Sequence, residues 1–407
     1  MKNNNLVSII QNMNTQVSNT FLIIGDPHFK TSNVPDTDEF IAKTIKLAQT
    51  ESPNAIIILG DVLHEHERLH TIPLNKAYEF VRSMAIIAKT FILVGNHDMI
   101  NNQQFLNTNH WMNAMKQWNN VTIVDTPISF QPFPDSDNFF VLCPYVPNGR
   151  LIEALDHLGS NTADESIDWR DANLIFAHQE FNGCKMGAIE SIDGDVWSKN
   201  LPPVISGHIH SNQKLLDGHI YYPGSAMQNA FGDPNNILAV IDWNRINHDT
   251  QFDITDILPP YVCKEVDLKL RKKKIIYMEL DEIETHDCTR MIDSNDLIKL
   301  TLSGNYDDFK IFRQTPKYKL LSDSGIKIIH KNKRLKPSEL DNTASHELAE
   351  SPEHPSSIFN DDSGESINKL VHTLVHQTAE LQSDSHIISD FNYLFLGYEK
   401  DEERFCL

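Results

Sequence analysis

The chain has 407 residues, 40% of them hydrophobic and 22% charged, with a formal net charge of −21. That balance is that of a globular chain with a sizeable core and two or more units. The five cysteines, Cys143, Cys184, Cys263, Cys288 and Cys406, are dispersed and form no CxxC pair. This excludes a disulfide framework and points to reduced thiols in an intracellular compartment, cytoplasmic or nuclear. The opening Met1-Lys-Asn-Asn-Asn5 lacks the apolar core of a signal peptide, and no run approaches a membrane span.

Residues 1–20, rich in Asn and Gln, read as a flexible lead-in. From there to about Trp243, apolar runs that read as buried strands alternate with amphipathic helical stretches, the pattern of an α/β layered domain. The first run, residues 21–24, leads into GDPHF with Asp26 and His28. A helix is predicted over 38–50, on the stripe of Phe40, Ile41, Thr44, Ile45 and Ala48. The run at 55–59 leads into GDVLH with Asp61, and a second helix is predicted over 74–88. The run at 91–94 leads into GNHD with Asn96, His97 and Asp98. Residues 173–177 precede His178, and 204–206 precede GHIH with His208 and His210. Short strands at 220–222 and 237–241 then close the second half of a sheet sandwich. The catalytic domain is placed at 21–260.

Residues 261–334 read as a smaller α+β unit. Its strand candidates are 262–268, 275–280, 297–302 and 326–330, with a helix over 307–323 between Asn305 and Gly325. Pro316 conflicts with one continuous helix and can break it in two. This unit holds 16 Lys+Arg against 12 Asp+Glu, net +4, and includes the run Arg271, Lys272, Lys273, Lys274. A local basic surface can hold DNA whatever the total charge, because counterion release counts phosphates neutralised; the plain alternative is a solvated face. Residues 335–364 read as a disordered linker. In 365–407, Ile367, Leu370, Val371, Leu374 and Val375 form one apolar stripe, followed by a second apolar stretch at 386–396. This helical tail either folds back on the catalytic domain or, the favoured reading, docks on a partner. Residues 335–407 carry net −11, leaving −14 for 1–260.

Open α/β sheets gather ligands at the carboxyl ends of their strands. Five strand ends on one sheet edge therefore converge on one cluster of carboxylate, imidazole and amide, a composition that binds two divalent metals. Metals about 3.5–4 Å apart need a bridging carboxylate, and Asp61, alone at its strand end, is the natural bridge. Asp26 and His28, two apart in an extended segment, can both reach one metal. His208 and His210 can serve different metals if the loop turns between them. Asn96 offers a neutral oxygen and His178 an imidazole. This mixed set suits Mn²⁺, Fe²⁺ or Zn²⁺ better than Mg²⁺, and such a pair of ions clamps a phosphate and activates a bound water for in-line attack. His97 is the candidate acid for the leaving oxygen, with Asp98 orienting it. Each motif alone is weak, since GD and HxH are common and a lone histidine is more often structural. Five in order are specific. His64 falls near the bridge, where the plain reading is a structural residue and the alternative is one that shapes the site; His66 and His70 read as surface or loop residues. The apolar stretch around Phe105, Trp111 and Met115 is a candidate dimer surface.

The ordered set D-x-H, G-D-x-x-H, G-N-H-D, H, G-H-x-H resembles the calcineurin-like metallophosphoesterase superfamily over roughly residues 20–245. Within it, Tyr222-Pro-Gly-Ser-Ala-Met-Gln-Asn-Ala-Phe-Gly-Asp233 resembles the segment after GHxH in SbcD-type nucleases, relatives of the meiotic-recombination-eleven nuclease. The resemblance implies a four-layer αββα sandwich with a smaller α+β capping domain and a C-terminal helical tail. It implies a first metal held by Asp26, His28, Asp61 and His210, and a second by Asp61, Asn96, His178 and His208, with His97 as catalytic acid. It further implies manganese-dependent exonuclease and endonuclease action at DNA ends in repair or recombination, as a homodimer with an SbcC-type, SMC-like ATPase. Two rival readings stand beside it. One is a phosphoesterase for a nucleotide, phosphoprotein or small phosphodiester; the other is a non-catalytic DNA-end-binding scaffold.

Overall fold

The computed structural model describes residues 19–133, 137–158, 167–187, 189–234, 237–243 and 261–332. Most of the lead-in, the linker at 335–364 and the tail at 365–407 lie outside the described residues.

The chain opens with β1 (Thr20–Ile24), α1 (Val34–Glu51), β2 (Ala55–Ile58), α2 (Thr71–Ile87), β3 (Lys89–Leu93) and β4 (Val121–Val124). The four strands are parallel, each buried on both faces, which is why they are written as unbroken apolar runs. Next come β5 (Ile128–Phe130), β6 (Phe140–Leu142), α3 (Leu151–Asp156) and β7 (Leu174–His178). A small hairpin, β8 (Lys185–Met186) and β9 (Ile189–Glu190), precedes β10 (Val204–Gly207), β11 (Gln213–Leu215) and β12 (Ile220–Tyr222). The catalytic part ends with β13 (Leu238–Asp242).

These strands make two six-stranded sheets, ordered β14-β13-β1-β2-β3-β4, where β14 is Val262–Val266, and β11-β12-β10-β7-β6-β5. Alternate residues sort the layers. Leu22, Ile24, Ile56, Ile58 and Ile92 face Phe40, Ile41 and Ala48 of α1 and Phe80, Val81 and Met84 of α2. Phe21, Ile23, Ile57, Phe91 and Leu93 face Phe140, Leu142, Phe176, Ile205 and Tyr221 of the other sheet. Beyond that sheet, Val141, Ile175 and Val204 pack with Leu151, Ala154 and Leu155 of α3 and with Trp169. The order is helix, sheet, sheet, helix, as expected of the αββα class.

The smaller unit has three parallel strands, β15 (Lys273–Glu279), β16 (Leu297–Gly304) and β17 (Lys327–Asn332). Its helices are α4 (Thr289–Ile292), α5 (Tyr306–Phe312) and α6 (Pro316–Asp323), over a core of Leu300, Leu302, Phe309, Phe312 and Leu321. Pro316 does divide the predicted helix. It is the first residue of α6, where its missing N–H costs nothing, and the Thr315 side chain accepts from the Tyr318 N–H at 3.2 Å.

Four expectations are corrected. The five motif-bearing strands do not share one sheet edge: β1, β2 and β3 lie in one sheet, β7 and β10 in the other, and their ends meet across the sandwich. The strand near 237–241 joins the first sheet, antiparallel to β1, rather than closing the second. The strand starting at Val262 also belongs to the first sheet, paired with β13, so the sheet of the smaller unit begins only at β15. The stretch around Phe105, Trp111 and Met115 packs inward. Met115 is fully buried, Trp111 packs on the α2 layer, and the Arg150 guanidinium covers the Phe105 ring at 3.5 Å. Among the described residues, no helix is long and apolar enough to cross a membrane.

Candidate metal centre

The strands end in register: Ile24 pairs with Ile58, Ile58 with Ile92, and Gly207 with His178. The loops that follow are therefore laid side by side, and every predicted ligand arrives at one place. His28 Nε2 lies 2.9 Å from His210 Nε2 and 3.6 Å from Asp61 Oδ2. On the other side of Asp61, His178 Nε2 is 3.4 Å from Asp61 Oδ2 and 3.1 Å from Asn96 Oδ1, which His208 Nδ1 approaches at 2.9 Å. Asp26 Oδ1 is 3.4 Å from His178 Nδ1. The same His178 nitrogen meets the Leu59 carbonyl at 2.7 Å, which orients the ring and leaves Nε2 toward Asn96 and Asp61. His208 and His210 thus reach opposite sides of Asp61.

The backbone is bent to achieve this. Asp26 (φ 23°), His28 (φ 49°), Asp61 (φ 49°) and His208 (φ 77°) all occupy the left-handed region, disfavoured for residues with a Cβ. Asp26 and His28 are therefore not in extended chain, as their spacing suggested; they sit in a tight loop beyond β1. Such conformations cost roughly 1–3 kcal/mol each and persist only where the surroundings enforce them. Two glycines make the room. A Cβ at Gly207 would lie 2.7 Å from Asp26 Oδ1 and 2.9 Å from His178 Nδ1, and one at Gly95 would overlap the Asp61 carboxylate.

The residues present fit divalent metal. Both Asp26 carboxylate oxygens are buried without a hydrogen-bond partner among the described residues, an arrangement that is costly unless a cation compensates. Donor atoms of Asp61, His178 and His208 lie within 4.8 Å of one another. Burial pushes Asp26 up to about 7, against the pull of His178. Burial opposes charging Asp61 too, but His178, with His28 and His97, holds its carboxyl well below the usual range. Burial would also lower His178, yet Asp61 and Asp26 raise it to about 9. Burial lowers His208 to about 3 and His28 well below its ordinary value, so these two rings are neutral donors.

His97 sits beside the ligands with its backbone N–H donating to Asp61 Oδ1 at 2.8 Å. Its Nδ1 donates to the His64 carbonyl at 2.6 Å, leaving Nε2 to exchange a proton. Asp98 does not orient it. The Asp98 carboxylate accepts from Trp111 Nε1 at 2.9 Å and from the Gly95 N–H at 3.0 Å, bracing the loop from within. The structure places His64 against the cluster, with Nδ1 3.3 Å from His28 Nδ1. His66, read as a surface or loop residue, lies in a loop and stacks on His97 at 4.5 Å between centroids and 16° between planes. The His64 ring stacks on His97 as well, at 5.6 Å and 7°, so the H-x-H spacing at 64 and 66 was the available signal.

The calcineurin-like phosphoesterase family model matches residues 20–212. "Putative phosphoesterase 078R" of Invertebrate iridescent virus 3 is 41% identical over 319 residues, 78% of this chain and 84% of that protein. "Putative phosphoesterase 244L" of Invertebrate iridescent virus 6 is 42% identical over 299 residues, 72% and 96% respectively. The chain belongs to the calcineurin-like phosphoesterases. A solved phosphoesterase from E. coli is similar at 14% identity over 55% of this chain and 88% of that chain, with a TM-score of 0.29.

In this phosphoesterase the segment after GHIH ties the ligand loops together. The Ser225 N–H donates to the His210 carbonyl at 3.0 Å, its hydroxyl lies 2.8 Å from the Asp26 carbonyl, and the Ala226 N–H donates to the Gly25 carbonyl at 2.8 Å. The next residues carry the smaller unit: Gln228 Oε1 accepts from the Lys273 N–H at 2.7 Å. The basic run is mostly engaged within the chain. Arg271 pairs with Asp36 at 2.7 Å, Lys274 with Asp296 at 2.5 Å, and the Lys273 ammonium with the Gln228 carbonyl.

A phosphoesterase ligand must be deprotonated to hold metal. Mn²⁺ binding should therefore displace a proton from His178 below its pKa of about 9, and from Asp26 only below its pKa of about 7. Calorimetry in buffers of different ionisation enthalpy should show more proton release near pH ~6 than near pH ~8. Equal release at both would remove Asp26 from the ligand set.

Proposed function

We propose that this phosphoesterase is a two-metal, Mn²⁺-dependent DNA exonuclease and endonuclease acting at DNA ends. One metal would be held by Asp26, His28, Asp61 and His210, the other by Asp61, Asn96, His178 and His208. When bound, such ions polarise the phosphate and lower the pKa of a water. The chain's own contribution is a rigid cradle, with His97 Nε2 giving its proton to the leaving oxygen. The observation that carries the DNA reading is the seating of β15 on the Gly224–Gly232 segment, which itself clamps the ligand loops. In this reading an extended nucleic acid bound at the metals would also reach the smaller unit. Purified protein incubated with end-labelled duplex and single-stranded DNA should degrade both only with Mn²⁺. Intact DNA beside brisk hydrolysis of a small phosphodiester would sink the nuclease assignment.

The internal pairing of Arg271 and Lys274 favours a second reading, a nucleotide or small-phosphodiester substrate, because it leaves less of the basic run for a duplex. A scaffold role without catalysis sits poorly with the intact ligand set. Removing His97 separates chemistry from binding. His97→Ala should slow cleavage of esters with alkoxide leaving groups by about 10²–10⁴-fold, and nitrophenyl esters much less, since nitrophenolate needs no proton. Equal slowing of both would mean that His97 is not the acid. The tail remains a proposed docking element for an SbcC-type ATPase, with a homodimer at its centre. Deleting residues 365–407 should abolish ATPase pull-down and spare hydrolysis.

A further inference from the structure

Two ammonium groups converge at the seam between the ligand loops and the smaller unit. Lys30, two residues past His28, donates to the Asn229 carbonyl at 3.0 Å. Lys273, opening β15, reaches the same carbonyl at 3.4 Å and the Gln228 carbonyl more closely. Both side chains are half-buried, and among the described residues neither makes an ion pair. Of the nearby acids, Asp36 pairs with Arg271, while Asp233, held by the backbone N–H groups of Asn229 and Ala230 at 2.7 Å each, makes no direct ion pair with either lysine among the described residues. Asp233 lies in the field of both ammoniums, so with Asp36 engaged by Arg271 the two lysines share one carboxylate and the cluster keeps a net positive charge. Each ammonium has three donors, and the carbonyls do not use them all. The pair also lies beside the reaction site. Lys30 follows His28 by two residues, and the Asn229 side chain donates at 2.8 Å to Ser225 Oγ, which itself lies 2.8 Å from the Asp26 carbonyl.

We propose that Lys30 and Lys273 form an anion subsite for a substrate phosphate next to the one being cleaved. The ligand class is a chain or ester carrying at least two phosphates, gripped at one by the metal centre and at the next by this lysine pair. The proposal deepens the nuclease reading and rests on it for the identity of the chain, not for the existence of the subsite.

The test compares the nitrophenyl ester of thymidine 5′-phosphate with the same compound bearing an added 3′-phosphate. The readout is the ratio of their kcat/KM values in wild type, Lys30→Gln, Lys273→Gln and the double variant. Glutamine keeps an N–H donor for the Asn229 carbonyl and removes only the charge. Wild type should prefer the two-phosphate compound, each single variant should lose about tenfold of that preference, and the double variant most of it. With oligonucleotides, the double variant should also flatten the salt dependence by about one to two phosphate contacts. A ratio unchanged by the substitutions, or no preference in wild type, overturns the subsite. Loss of Mn²⁺ binding by calorimetry in the double variant overturns it as well, because the lysines would then be structural clamps. If the two-phosphate ester is preferred yet DNA is left intact, the subsite stands and the nuclease reading falls.

Discussion

Asp61→Ala should reduce phosphoester hydrolysis by more than about 10³-fold, well beyond the 10–100-fold typical of losing a partner behind a metal ligand. The reason is its centrality. Its Oδ2 lies 3.6 Å from His28 on one side and 3.4 Å from His178 on the other, while Oδ1 holds the His97 backbone at 2.8 Å. One substitution thus removes the shared ligand of both proposed metals and loosens the proposed acid. Mn²⁺ stoichiometry by calorimetry, with circular dichroism as a check on folding, distinguishes this from collapse. A folded variant that retains activity would exclude the two-metal mechanism.

Gly207→Ala should be nearly as damaging although no ligand is removed. The new Cβ would lie 2.7 Å from Asp26 Oδ1, 2.9 Å from His178 Nδ1 and 2.9 Å from the Leu59 carbonyl, so at least one must move. Overpacking of this kind costs about 1–3 kcal/mol, and here it displaces two proposed ligands at once. The expected result is a lowered melting temperature and Mn²⁺ affinity reduced by at least about tenfold, in the range of a disturbed ligand shell. Gly183→Ala is the comparison. Its Cβ meets nothing within 4 Å, so with φ at +85° it suffers backbone strain alone and should keep its metals. Equal metal affinity in the two variants would show that the space at Gly207 is not what holds the site together.

The convergence of the candidate ligands was legible in the sequence because buried parallel strands leave an unmistakable apolar trace and each candidate follows one directly. The layered class was legible for the same reason. Sheet membership was not: Leu238–Asp242 looks alike whichever sheet it joins, and only the pairing of Thr20 with Asp242 decides it. The role of Asp98 was misread because adjacency in GNHD suggests a partner for His97, whereas its actual partner, Trp111, is thirteen positions away and arrives through a folded loop. Nor does the sequence announce the left-handed backbone at Asp26, His28, Asp61 and His208, since aspartate and histidine there look like any ligand and glycine would have been the usual signal.

The pairing of Val262–Val266 with β13 bears on how this protein can be divided. A fragment stopped after Trp243, where the last motif-rich segment ends, would uncover the apolar rim of Leu238–Ile241 as an unpaired border, an invitation to self-association. The strand that covers it displays Lys264 and Glu265 to solvent, charges that deter further pairing. A soluble catalytic fragment should therefore be cut beyond Val266, so the piece that shields the sheet travels with the catalytic part rather than with its neighbour.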